Sequence, residues 1–154
     1  MVAEEVKEII QRAIKNEENA YNLYASAIRR VKDPSARSGL EDLAGQEKQH
    51  KAKLEALLEG KLAWTKRISQ REKIKDLQIG EYLEAKPLSE GSSLQDVLIV
   101  AMKREEASGA FYTQMAGLME PGPEKDLFEL LAKEEVKHKR YVESIYEDVV
   151  YKQF

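Results

Sequence analysis

The chain has 154 residues, 42% hydrophobic and 34% charged, with a net charge of −3 and both signs interspersed. That length suits one domain with a real core, and the charge pattern excludes a basic face for nucleic acid. Cysteine is absent, which excludes disulfides, thiolate zinc sites and iron–sulfur clusters; without a long apolar run, neither a signal peptide nor a membrane span is expected, and the location expected is cytoplasmic.

Abundant Glu and Lys with only 8 Gly and 4 Pro favour helix. A first helix is predicted over about 2–31, where Val6, Ile10, Ala13, Ala20, Tyr24, Ile28 and Val31 recur at helical spacing. "KDPS" ends it, and Pro34 suits the first turn of a second helix over about 35–59, with Leu40, Leu43, Leu54 and Leu57 in its stripe and Gly60 as its C-cap. A crossover over about 61–92 follows. Within it, "KIKDLQIGEYLE" reads as a short helix turning Ile74, Leu77, Tyr82 and Leu83 inward; a disordered linker is the alternative, which the persisting apolar residues disfavour. "SSLQ" begins a third helix over about 93–119, carrying Leu94, Val97 or Leu98, Ala101, Tyr112, Met115 and Met119. "PGP" breaks the chain before a fourth helix over about 124–151, with Phe128, Leu131, Val142, Ile145 and Val149. The expected fold is all-α: a four-helix bundle in a single domain, residues 1–154, made of two helical hairpins joined by the crossover.

Each apolar stripe is interrupted at its middle. Glu17 interrupts the first, Glu47 and His50 the second, Glu105 the third, Glu135 and His138 the fourth. The chain has two histidines, and each stands three residues after a glutamate; with 22 Glu in 154 residues, composition alone would produce that about 2% of the time. The chain also repeats. "AIKNEENAYNLY" (13–24) aligns with "AMKREEASGAFY" (101–112), and "LAGQEKQHKAKLE" (43–55) with "LAKEEVKHKRYVE" (131–143), both at an offset of 88. The six polar residues are therefore two copies of a three-residue set.

Four buried carboxylates repel one another and are costly to desolvate, and bound cations relieve both problems. Glu at i and His at i+3 share one helix face, so a single turn offers an oxygen and a nitrogen to one site. Two such turns plus one Glu from each remaining helix supply six side chains for two metal ions about 3.5–4 Å apart. Oxygen and imidazole donors without sulfur suit iron or manganese, and also accommodate zinc or cobalt. Glu18 and Glu106 neighbour Glu17 and Glu105 and align equally well in the repeat; the stripe favours Glu17 and Glu105, because the next residue lies about 100° round the helix. Glu134 reads as solvent-facing, with an outer hydrogen bond to a histidine as the alternative. For Tyr24 and Tyr112, core packing and a functional role weigh about equally; Phe111, Met115, Met119 and Trp64 read as core or interface.

"NEENAYNLY", "QEKQH", "REEASGAFY" and "EEVKH" together resemble the ferritin-like di-iron carboxylate superfamily, specifically a rubrerythrin-related protein lacking the rubredoxin domain. The resemblance spans nearly the whole chain and implies a ferritin-like bundle. It implies two iron ions held by Glu17, Glu47, His50, Glu105, Glu135 and His138, with Glu47 and Glu135 bridging and Glu17 and Glu105 binding from either end. Tyr24 and Tyr112 would hydrogen-bond the ligand carboxylates. Implied too is a peroxidase or oxidoreductase that takes hydrogen peroxide or dioxygen and draws electrons from a separate donor protein. The alternative is a ferroxidase or iron-handling protein without peroxidase turnover. No nucleic-acid or membrane partner is expected, and the resemblance implies a homodimer in which the crossover permits exchange of hairpins. One position departs: rubrerythrins carry another Glu three residues after the third-helix ligand, where this chain has Ser108, which argues against a metal shift with redox state. The remaining four Glu and two His resemble the ligands of bacterioferritins. Yet the chain lacks the fifth short helix of cage ferritins, unless Tyr151–Phe154 is its remnant.

Overall fold

A computed structural model describes residues 2–60, 63–69, 72–73 and 93–152. Four helices account for most of these: α1 (Val2–Arg30), α2 (Pro34–Glu59), α3 (Leu94–Gly117) and α4 (Pro123–Lys152), with a 3-10 turn at Ala63–Arg67. The fold is an all-α four-helix bundle, as the apolar stripes require, and the described residues form no strand beyond one isolated bridge. Residues 74–92, including the short helix expected at "KIKDLQIGEYLE", lie outside the described residues, as do 153–154 at the end of the candidate fifth-helix remnant.

Local chemistry sets the helix ends. Asp33 caps α2 by accepting from the Ala36 amide at 2.9 Å, and Pro34 follows at the first helical position, where its missing N–H costs nothing. Ser93 caps α3 in a reciprocal box with Asp96. Pro121 and Pro123 bar a continuous α3–α4 helix, and the Lys125 ammonium donates to the carbonyls of Ala116 and Met119 at the end of α3.

α1 and α2 form one hairpin, α3 and α4 the other, and α1 packs on α3. Side-chain bonds across the bundle fix the directions. Residue 24 reaches 105 while 17 reaches 112, so α1 and α3 are antiparallel; His50 meets Glu135 while His138 meets Glu47, so α2 and α4 are too. The chain therefore leaves α2 at one end of the bundle and enters α3 at the other. Just after α2 it is clasped to the far hairpin: the Ser69 amide donates to Leu118 O at 2.7 Å, the Glu120 amide donates to Arg67 O at 2.8 Å, and Arg67 pairs with Glu124.

Two apolar clusters fill the interior. One contains Val6, Ile10, Leu54, Trp64, Phe111, Tyr112, Met115, Phe128 and Leu131; the other contains Leu23, Tyr24, Leu40, Leu43, Val97, Leu98, Val142 and Ile145. Between them, in sequence on every helix, lie Glu17, Glu47, His50, Glu105, Glu135 and His138, each no more than 2% exposed.

Candidate metal centre

One face of each helix carries apolar residues on both sides of its polar interruption, so burying those residues drags the carboxylates inward. Two groups of side chains result. Glu17, Glu47, His50 and Glu135 bring ligand atoms within 4.8 Å of one another, and so do Glu47, Glu105, Glu135 and His138. Glu47 and Glu135 belong to both groups; Glu17 with His50, and Glu105 with His138, belong to one each. The imidazole rings stack with centroids 5.5 Å apart and planes 9° from parallel.

The arrangement follows the repeat across the bundle. His50 Nδ1 lies 2.9 Å from Glu135 Oε1, and His138 Nδ1 lies 2.9 Å from Glu47 Oε1. Each histidine thus meets the glutamate of the opposite hairpin; for His50, the glutamate of its own turn is farther, at 3.7 Å. The tyrosines cross in the same way. Tyr24 donates to Glu105 Oε1 and Tyr112 to Glu17 Oε1, each at 2.5 Å. Glu18 and Glu106 turn outward, Glu18 to Lys15 and Lys51, Glu106 to Lys139.

Burial and the neighbouring carboxylates of Glu105 and Glu17 push Glu47 well above the usual carboxylate range. Burial pushes Glu17 up too, but protonated Glu47, the charge of His50 and the Tyr112 hydroxyl outweigh it, leaving Glu17 lowered. Burial disfavours charge on His50, yet Glu17 and Glu134 overcome it and raise its pKa. Burial and the charge of Glu105 hold Tyr24 well above its ordinary value, so it stays a donor. Without a cation, then, the surroundings favour the protonated forms of Glu47 and His50, and metal binding would compete with those protons.

The donor set fits metal ions. Oε2 of Glu17, Glu47 and Glu105 are buried without a hydrogen-bond partner. Such oxygens are costly unless something binds them. All three belong to the two ligand groups, and a divalent cation is the partner their charge and position call for.

Sequence reasoning read Glu134 as solvent-facing, with a bond to a histidine as the alternative; the alternative holds, and its half-buried carboxylate accepts a hydrogen bond from His50 Nε2. Gln46, not singled out, accepts from Nε2 of His138 at 2.7 Å. The repeat could have found them, since 46 and 134 are 88 apart and each precedes a Glu-x-x-His turn. Ser108 receives the Asn16 amide at 2.5 Å, and Arg104 donates to Asn16 Oδ1 at 3.3 Å, a buried polar chain across α1 and α3. Two surface grooves reach the centre: one of about 650 Å³ between α3 and α4 has Glu105 in its wall, and one of about 620 Å³ between α2 and α4 has Gln46 and His138 in its wall.

The described residues contain no helix long and apolar enough to cross a membrane. No curated protein and no solved structure matches the chain significantly. The family model described as Rubrerythrin matches residues 1–88, a span that includes Glu17, Tyr24, Glu47 and His50. The matched half thus holds one copy of the three-residue set, and the 88-residue repeat supplies the other. With more than half its length matched and its buried Glu/His cluster intact, the chain belongs to the rubrerythrin family.

Proposed function

We propose that this chain is a cytoplasmic di-iron oxidoreductase that reduces hydrogen peroxide with electrons from a separate donor protein. The observation that carries the reading is the pair of ligand groups sharing Glu47 and Glu135. In it, Glu17 and His50 would hold one ion, Glu105 and His138 the other, and the two shared carboxylates would bridge. Bound there, two ferrous ions would supply the two electrons that, with two protons, convert hydrogen peroxide to two waters, and the donor would return those electrons.

The protein's own part is positional. Tyr24 and Tyr112 orient the outer carboxylates through their hydroxyls. Glu134 and Gln46 fix the histidine rings with Nδ1 inward. The apolar clusters flanking the polar layer exclude bulk water, which strengthens every charge interaction inside. The working form we infer is a homodimer.

The test is an anaerobic Fe(II) titration of metal-free protein beside the Glu47→Ala/Glu135→Ala double variant. Hydrogen peroxide and air are then added separately, and ferric absorbance is followed in the near ultraviolet. Two irons per chain, lost in the variant and oxidised faster by peroxide than by air, are expected. Faster oxidation by air would replace the peroxidase with a ferroxidase or iron-handling protein. Preferential retention of manganese or zinc would displace iron, and absence of any metal binding would end the reading.

A further inference from the structure

The two halves of the centre differ at one position that touches both histidines. His50 presents Nδ1 to the ligand carboxylates and Nε2 to Glu134 Oε2. His138 presents Nδ1 in the same way, but its Nε2 meets the amide oxygen of Gln46. Residues 46 and 134 are partners in the 88-residue repeat, so the molecule contains its own control: the same ring in the same place, backed by a carboxylate on one side and by a neutral amide on the other.

Building on the two-ion reading, we propose that the two metal positions are unequal, and that Glu134 and Gln46 set the inequality through the histidines. A carboxylate accepting the Nε2 proton draws it away from the ring, enriches the lone pair on Nδ1 and makes the imidazole a stronger donor. An amide oxygen does this less. The ion held by Glu17 and His50 is therefore the tighter one. The ion held by Glu105 and His138 is the looser one, and its histidine stands in the wall of the groove between α2 and α4. Glu134 and Gln46 are positioning residues here, since each acts through a histidine.

Anaerobic titration of metal-free protein with Co(II), followed by visible absorbance and calorimetry, tests this without turnover. Two separable events are expected, the tight one lost in His50→Ala and the weak one lost in His138→Ala. Glu134→Gln should weaken the tight event by about 10–100-fold and leave the weak one in place, as loss of a partner behind a metal-bound histidine does. Gln46→Glu should tighten the weak event by a similar factor. The deciding variant combines Glu134→Gln with His50→Ala. If Glu134 acts through the ring, it should titrate like His50→Ala alone; a persisting effect of Glu134→Gln would mean that its charge acts through space, and would overturn the proposal. So would equal affinities in the parent protein, or a Glu134→Gln protein that binds as the parent does. Far-ultraviolet circular dichroism of each metal-free variant confirms that the bundle has formed. Failure of the two-ion reading looks different: no event that depends on Glu47 and Glu135, in which case this inference goes with it.

Discussion

The two hairpins cover their carboxylates with different side chains. In the first, Tyr21 of α1 lies under the Lys48 ammonium of α2, 4.7 Å from the ring centroid. Their repeat partners are Gly109 and Val136, and there the groove with Glu105 in its wall runs between α3 and α4. A Cβ on Gly109 would meet nothing closer than Glu135 Cβ at 3.7 Å, so this glycine leaves room that no backbone constraint requires. By contrast, the distances inside the centre match in both halves: 2.5 Å from each tyrosine to its carboxylate, and 2.9 Å from each Nδ1 to the opposite glutamate. Ligation demands particular atoms at particular places, so the two copies agree there. The surroundings face no such demand, and there they differ: Gln46 against Glu134, Asn16 against Arg104, Ala20 against Ser108, Tyr21 against Gly109. The Arg104–Asn16 bond depends on the copies differing, since two arginines at positions 16 and 104 would repel.

The comparison breaks most violently in the core. Leu43 and Leu131 are repeat partners, 5% and 0% exposed, one in each apolar cluster. Truncating either to Ala should cost about 2–5 kcal/mol in urea unfolding of the metal-free protein. Similar losses would mark the two ends as mechanically equivalent; a large gap would show that one end carries the stability.

Next come the crossed tyrosines. A hydrogen bond to a charged carboxylate contributes about 1.5–3 kcal/mol. Tyr112→Phe should therefore weaken the ion held by Glu17 and His50, and Tyr24→Phe the ion held by Glu105 and His138. Calorimetric titration of each variant reads which event moves, and weakening on the same side as the mutated tyrosine's own helix would contradict the crossing.

Protons test both halves together. Glu47 and His50 are raised in the folded, metal-free protein, so their contributions to stability are present at low pH and lost as pH climbs through the folded values. Glu17 is lowered, and its contribution is lost only in acid. Above about pH 6.5, where an unfolded histidine is already neutral, metal-free stability should fall, by at most about 1.4 kcal/mol per pH unit for each proton. Metal affinity should rise over the same range because binding displaces those protons. Urea midpoints and metal titrations across that range should move in opposite directions.

The smallest expected change is kinetic. Gly109→Tyr places on the second hairpin what Tyr21 provides on the first. It should slow release of bound metal to a chelator several-fold while leaving the equilibrium affinity unchanged. An unaltered release rate would direct attention to the groove between α2 and α4.

The bundle was legible because its helices are long, their apolar spacing regular, and their ends marked by Pro34, Ser93 and the "PGP" turn. The centre was legible because six polar residues stand where each stripe should be apolar. Other features depend on registers between helices, which spacing along one helix does not contain. Tyr24 shares a face with Glu17 but bonds Glu105, 81 residues away. Gln46 serves a histidine 92 residues on, and Ile68 pairs with Met119 through backbone groups that carry no side-chain signature. Glu134 was ambiguous for the same reason: whether the residue before a ligand faces water or a ring depends on how closely α2 approaches α4.

The clasp between residues 67–69 and 118–120 has a use beyond its bonds. It ties the exit from the first hairpin to the turn of the second, so the hairpins cannot part at that end while the Ser69 and Glu120 amides stay bonded. Those two protons therefore form a natural reporter, and their exchange with deuterium would clock how often that end of the bundle opens.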